Sequence, residues 1–215
     1  YVTPILTSLT KQIGYIATLP FGHQVLQVAC TTLDEGEVTE FILNGSPVER
    51  FVVLQSLQSS GKTAQSITSA VIDLFLFTTS TYIFDLCFDY LRKQESVHPN
   101  EEQVCQFRLR LNREEEDNCL TALITLVPRF FADPIEILLG LSDYTLFLDR
   151  SSSGVLEAIS EVLLACHEVL FSSFSPECLI QWQLLIRCIS DESRIVRLNA
   201  ARAFSPHVTA GKPSN

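Results

Sequence analysis

Three groupings in this chain hold residue types that could do chemistry. The first is Ser56-Leu-Gln-Ser-Ser-Gly-Lys62-Thr63, which approaches the GxxxxGK[ST] pattern of a phosphate-cradling loop. There, glycines let backbone N–H groups wrap the phosphates, the lysine reaches them, and the hydroxyl meets the metal. Ser56 stands where the first glycine is needed, and Asp73, Asp85 and Asp89 all lie in helix-like sequence rather than at a strand end. The preferred reading is conformational: a helix ending at Ser59-Ser60, Gly61 as its left-handed C-cap, and Thr63 as the next N-cap. A degenerate P-loop nucleotide site using Lys62 and Thr63 is the alternative.

The second grouping is histidine, cysteine and paired acids. His98 and Cys105 are seven apart, Cys166 and His167 are adjacent, and Cys178 and Cys188 are ten apart. None of these gives the close pair-plus-pair spacing of a structural zinc site. His23, His98, His167 and His207 have no partnered nucleophile in the sequence, so no triad or dyad is assigned. Asp34 and Glu35 read as solvated charge in an exposed loop. No catalytic residue, cofactor or metal ligand is assigned, and the chain is expected not to be an enzyme. The third grouping is basic. Arg187, Arg194, Arg197, Arg202 and Lys212 face only Asp191 and Glu192 in that stretch. On a helix Arg194 and Arg202 lie about two turns apart. Together they could receive a partner's acidic segment or a phosphate, although such arginines are more often a solvated face.

The elements that position these residues are helical by their periodicity. Val155, Ile159, Val162, Leu163, Cys166, Val169 and Leu170 form one apolar stripe, with Glu157, Glu161 and Glu168 on the outer side and Ser152 or Ser153 available as N-cap. Leu120, Leu123, Ile124, Val127 and Phe131 form another, preceded by the acids Glu114 to Asp117, which complement a helix dipole. Phe84, Cys87, Phe88 and Leu91 make a third, and a helix is expected from about Glu101 to Leu111. Pro134 and Pro176 suit first turns, the latter leading to Leu179, Trp182, Ile186 and Ile189. Phe51 to Leu54 and Ile67 to Phe77 are β-branched and aromatic enough to be strands. Their length and lack of period-two alternation favour helices. Gly14, Pro20, Gly22 and Gly36 predict short or irregular elements in residues 1–45.

Composition narrows the function. The chain has 215 residues, 47% of them apolar and only 19% charged, which excludes disorder. Charged residues interrupt each apolar run before it reaches bilayer length, so no membrane span is expected. A net charge of −10 disfavours phosphate backbones as the main partner. Seven cysteines, without CxxC, fall largely in apolar stretches (Cys87, Cys105, Cys119, Cys166 and Cys188). They are expected to be free, in a reducing cytosolic or nuclear setting. Asn44-Gly45-Ser46 is formally a sequon but is followed by Pro47.

Asp191-Glu-Ser-Arg-Ile-Val196-Arg197-Leu-Asn-Ala200-Ala201-Arg-Ala203-Phe204 resembles the second helix of a HEAT repeat. In that family an Asp ends the inter-helix turn, an Arg follows six residues later after a Val, and small residues allow close packing. Asp191, Val196, Arg197, Ala200 and Ala203 match. The resemblance implies an all-α, right-handed solenoid of the HEAT/armadillo kind, in which Asp191 and Arg197 join a polar ladder stitching adjacent repeats. Asp149 lies 42 residues earlier, ahead of the 155–170 stripe, a spacing that suits repeats of about 40–47 residues. Asn44 and Arg50 repeat the six-residue spacing with Asn for Asp. The expected organisation is one helical-repeat domain over 1–215: an irregular portion at 1–45, helical pairs over 46–206, and a tail at 207–215. Read this way the chain is a section of a longer array, a protein-binding scaffold within a larger assembly; a nucleic-acid-binding solenoid is a further alternative.

Overall fold

Asp34, Ser46 and Asn100 each precede a Glu or Gln by three residues, and each opens a helix. Asp34 Oδ1 accepts from Glu37 N at 2.8 Å while Glu37 Oε2 accepts from Asp34 N at 3.1 Å. Ser46 and Glu49 repeat the exchange at 3.4 and 2.7 Å, as do Asn100 and Gln103 at 2.9 and 3.0 Å. Each exchange gives partners to two orphan donors at a helix start. Asp34 and Glu35 therefore do not lie in a loop, as their sequence suggested: Asp34 is an N-cap and Glu35 sits in the first helical turn.

The computed structural model describes residues 8–9, 11–61, 63–113, 116–131, 153–165 and 186–210, with side chains through 204. Every regular element among them is helical. In chain order these are α1 (Ile13–Ile16), α2 (Gly22–Cys30), α3 (Glu35–Asn44), α4 (Pro47–Ser60), α5 (Gln65–Phe77), α6 (Thr81–Lys93), α7 (Glu101–Arg113), α8 (Asp117–Phe130), α9 (Ser153–Ala165) and α10 (Arg194–Ala210). A short helical segment at 186–189 precedes α10. The segments rich in β-branched residues, 51–54 and 67–77, lie in α4 and α5, as their length favoured. Among the described residues of the first forty-five are a four-residue helix and helices of nine and ten residues.

The chain divides into two compact units, Tyr1–Gln103 and Val104–Asn215. In the first unit α3 pairs with α4 and α5 with α6; α3 also packs on α5, while α4 packs on both α2 and α6. The pattern is two layers, α2/α4/α6 and α3/α5. Burial of Val52, Val53, Leu54 and Leu57 on α4, and of Ile67, Val71, Ile72, Leu74 and Phe75 on α5, supplies the core between them. Each such side chain contributes about 1.5–3 kcal/mol. Phe75 stacks on Phe84 of α6 at 4.6 Å. Polar pairs also cross between helices of this unit: Gln27 Nε2 donates to Ser59 Oγ at 2.8 Å, and Gln103 Nε2 reaches Ser69 Oγ at 3.0 Å and Asp73 Oδ1 at 2.8 Å.

In the second unit α9 packs against both α8 and α10. The predicted stripe of α8 is inward, with Leu120, Leu123, Ile124 and Val127 at or near zero exposure and Phe131 as C-cap. On α9, Val155, Ile159, Val162 and Leu163 are buried and Glu161 is exposed. Cys166, Glu168, Val169 and Leu170 lie outside the described residues, as do Asp149, Pro134, Pro176 and Trp182. The last helix continues through Pro206 to Ala210. Helix starts in the first unit recur at shorter intervals than the resemblance implies: α3, α5 and α7 begin 30 and 36 residues apart.

Candidate functional site

Gly61 takes φ 65° and ψ 19° and donates its N–H to Leu57 O at 3.2 Å, closing α4. A left-handed residue at this position favours glycine. The C-cap reading holds. The N-cap reading of Thr63 does not: Ala64 occupies that position, without a side-chain cap, and Thr63 is an exposed residue one place before it. Thr68 Oγ1 donates back to Ala64 O at 3.1 Å, a bond that leaves the first N–H groups of α5 without a side-chain cap. Lys62 lies outside the described residues. A phosphate-cradling loop connects a strand to a helix, whereas this turn connects helix to helix, and no strand occurs among the described residues.

The C-terminal hairpin is richer. Asp191 is buried at 8% exposure. Its Oδ2 accepts from Arg187 Nη1 at 3.2 Å, and its Oδ1 accepts from Ser193 N at 2.8 Å. Arg197 meets Asp191 through the backbone, not through the carboxylate: its Nη1 donates to Asp191 O at 2.8 Å and Glu192 O at 2.7 Å. Asp191 thus fastens the turn from the front and Arg197 closes it from behind. The links to the neighbouring helix come from Ser193, Ser160 and Asn199, which the sequence gave no role, and from Glu157, which was expected on the outer side but is half-buried and faces the start of α10. Ser193 Oγ donates to Glu157 Oε1 at 3.0 Å, and Asn199 Nδ2 donates to Ser160 Oγ at 3.2 Å, both reaching α9. Polar Ser160 and Asn199 at buried register positions on two amphipathic helices were the available signal.

The same device recurs in the first unit. Arg50 N donates to Ser46 O at 2.9 Å, as Arg197 N does to Ser193 O at 3.2 Å. Arg50 Nη2 donates to Leu43 O at 2.5 Å. Both arginines therefore brace a helix-to-helix turn but at different places: Arg50 on a carbonyl in the last turn of α3, Arg197 on two carbonyls of the turn itself. Arg197→Met should cost about 1–2 kcal/mol, because the part-buried Asp191 carbonyl loses a charged donor. Arg50→Met should cost about 1 kcal/mol, since the exposed Leu43 carbonyl regains water. Urea midpoints of the two variants measure this; equal stability with wild type would show the turns need no such brace.

The outer face of α10 carries Arg194, Arg197, Ala201 and Arg202, all exposed, with Ile195 at 53% and Leu198 at 45%. Its inner face, Val196, Asn199, Ala200 and Ala203, is buried. Arg194 and Arg202 do share the outward side.

The cysteines split. Cys30, Cys87, Cys119 and Cys188 are buried and Cys105 is exposed. Cys105 departs from its expected core position because α7 buries Gln103, Phe107 and Leu111, four residues apart, and position 105 falls on the other side. Burial, reinforced by the Asp191 carboxylate and opposed by Arg187, pushes the Cys188 thiol from 9.0 up to about 12. The fold therefore favours the protonated thiol. That contribution is complete below about pH 9 and is lost as pH climbs toward about 12. Cys188→Ala should flatten the alkaline fall of stability in that window, and mass spectrometry after brief native alkylation should find Cys105 modified and Cys188 intact. A native Cys188 that alkylates as fast as Cys105 contradicts this placement.

Among the described residues no three His, Cys, Asp or Glu side chains gather as a metal set, and no helix is long and apolar enough to cross a membrane. No known family, curated protein or solved structure matches the chain.

Proposed function

We propose that the chain is a helical-repeat scaffold of the HEAT/armadillo kind, which binds protein partners within a larger cytosolic or nuclear assembly and has no catalytic centre of its own. The observation that carries this reading is the packing of helices on the next but one: α2, α4 and α6 in one layer, α3 and α5 in the other. Helical pairs that stack in series bury their core between neighbours and leave a long surface for partners. At both Ser46–Arg50 and Ser193–Arg197 an arginine four residues after the serine donates to carbonyls at a helix-to-helix junction, which supports a hairpin used more than once. Asp191 and Arg197 then serve to hold the turn rather than to meet a ligand.

The test is reciprocal purification. A tagged chain expressed in its native cell should recover defined partners in fixed ratio, and a tag on such a partner should recover the chain. Loss of the chain should then disrupt that assembly. Recovery of no partner in either direction, with assemblies intact after deletion, would remove the scaffold reading. Equilibrium nucleotide binding abolished by Lys62→Ala would replace it with the nucleotide-site alternative.

A further inference from the structure

The outer face of α10 combines basic and aliphatic side chains in this acidic chain. Arg194, Leu198 and Arg202 follow one another at four-residue steps, so they form a single stripe along the helix. Ile195 lies beside it, three residues before Leu198. All four side chains are exposed, with Ile195 and Leu198 retaining 53% and 45% of their accessible surface. The nearest acids in sequence do not neutralise the stripe. Asp191 is buried and held by Arg187, while Glu192 lies in the turn ahead of the helix. The inner side of α10 is already committed to α9 through Val196, Ala200 and the Asn199–Ser160 bond. The stripe is therefore a cationic face with an aliphatic centre.

We propose that this face docks an acidic amphipathic helix of a protein partner, its leucine-type residues covering Ile195 and Leu198 and its carboxylates meeting Arg194 and Arg202. The inference rests on the scaffold reading and names the partner chemistry of one of its surfaces. Two arguments select this occupant. Guanidinium groups spaced along a helix pair with carboxylates in bidentate fashion, which fixes register. The aliphatic pair between them gains only from an apolar partner surface; a phosphate backbone offers it nothing. The net charge of −10 repels a nucleic acid and an acidic peptide alike at long range, so it is the aliphatic pair Ile195 and Leu198 that separates the two. Helix-in-groove recognition of this kind is read through anchors at i, i+3, i+4 and i+7.

The experiment uses the whole chain and a fluorescein-labelled synthetic helix with leucines at i, i+3, i+4 and i+7 and glutamates between them. Anisotropy should show saturable binding that weakens with salt. Arg194→Glu with Arg202→Glu should weaken it by about tenfold or more, and Leu198→Ser should weaken it several-fold. Both variants alter exposed positions, so their circular dichroism should match wild type. A scrambled peptide of equal composition should bind poorly. Equal binding of the scrambled peptide, or no effect of Leu198→Ser, overturns the proposal. Tighter binding of a single-stranded oligonucleotide of matched charge reassigns the face to nucleic acid. Sedimentation showing oligomers that the double arginine variant dissolves reassigns it to a second copy, with acids such as Glu37 and Glu40 on α3 as the complement. If the peptide fails while reciprocal purification still recovers partners from the double variant, only this surface is lost and the scaffold reading stands.

Discussion

Phe107→Ala should lower the stability of the second unit by about 3–5 kcal/mol, the range for truncating a buried aromatic side chain. Phe107 is fully buried. Its ring lies 4.4 Å from that of Phe130 and 5.5 Å, edge on, from that of Phe131, while Arg108 Cζ stands 5.4 Å over Phe131. Each aromatic pair adds about 0.5–1.5 kcal/mol beyond area burial. The helix that carries Phe107 makes the loss unusually damaging. From Val104 to its end, α7 buries only Phe107 and Leu111, and most of its remaining positions are polar or charged. Phe75→Ala in the first unit removes a comparable ring, but α5 keeps seven other buried side chains. The two variants should therefore unfold differently. Phe107→Ala should release α7 locally, seen as fast amide hydrogen exchange over 104–113, whereas Phe75→Ala should lower protection across the first unit as a whole. A Phe107→Ala loss below about 1 kcal/mol, with α7 still protected, would mean that something other than these rings holds the helix.

The inward faces were legible in the sequence because an amphipathic helix writes its core at a 3.6-residue period. Leu120, Leu123, Ile124 and Val127 are an example: spacing alone placed them inside, and they are inside. Helix type at 51–54 and 67–77 was legible from length despite opposing propensity. Gly61 was legible because few residues other than glycine close a helix in the left-handed region. What escaped depended on where a helix begins and which way its inward face turns. Asp34 looked like loop charge because its partner, Glu37, marks a capping box only once α3 exists. Cys105 looked buried because its neighbours are apolar, although the inward register of α7 is fixed by positions 103, 107 and 111. The resemblance gave Asp191 and Arg197 a ladder role between adjacent repeats; what the structure shows is Arg197 donating to the Asp191 carbonyl within one turn. A spacing rule records that two residues meet; it does not record which atoms do.

The outer surface was least legible. Arg194 and Arg202 could be placed on one side by arithmetic, but nothing in the sequence assigned Ile195 and Leu198 to that side; they are exposed because α9 packs on the opposite face. A helix with two apolar sides has one face for its own unit and one left over. That surplus is the reason the α10 stripe, rather than the motif at Lys62 and Thr63, is the place to look for a partner.

Gly22→Ala and Gly14→Ala should have effects of opposite sign, though only eight positions separate them. A Cβ on Gly22 would stand 1.7 Å from Ile16 O and 2.8 Å from Ile16 C. Both obstacles are backbone, in the last residue of α1, and cannot swing aside. The chain reaches this approach through a turn in which Phe21 takes φ 61°, a left-handed conformation that aromatic residues seldom adopt, and Gly22 N donates to Leu19 O at 2.9 Å. With the turn so constrained, relief requires α1 to move away from α2, which exposes Ile13, Ile16 and Leu26. The expected cost is about 2–3 kcal/mol, at the upper end of the range for overpacking. Gly14 sits inside α1, and a Cβ there would meet nothing within 4 Å. Alanine removes backbone freedom from the unfolded chain and improves helix propensity, so a gain of about 0.5–1 kcal/mol is expected. Urea denaturation of the pair, read against wild type, decides the matter. If Gly22→Ala is as stable as Gly14→Ala, then α1 does not press on α2 through that carbonyl, and the close approach is not what requires glycine at position 22.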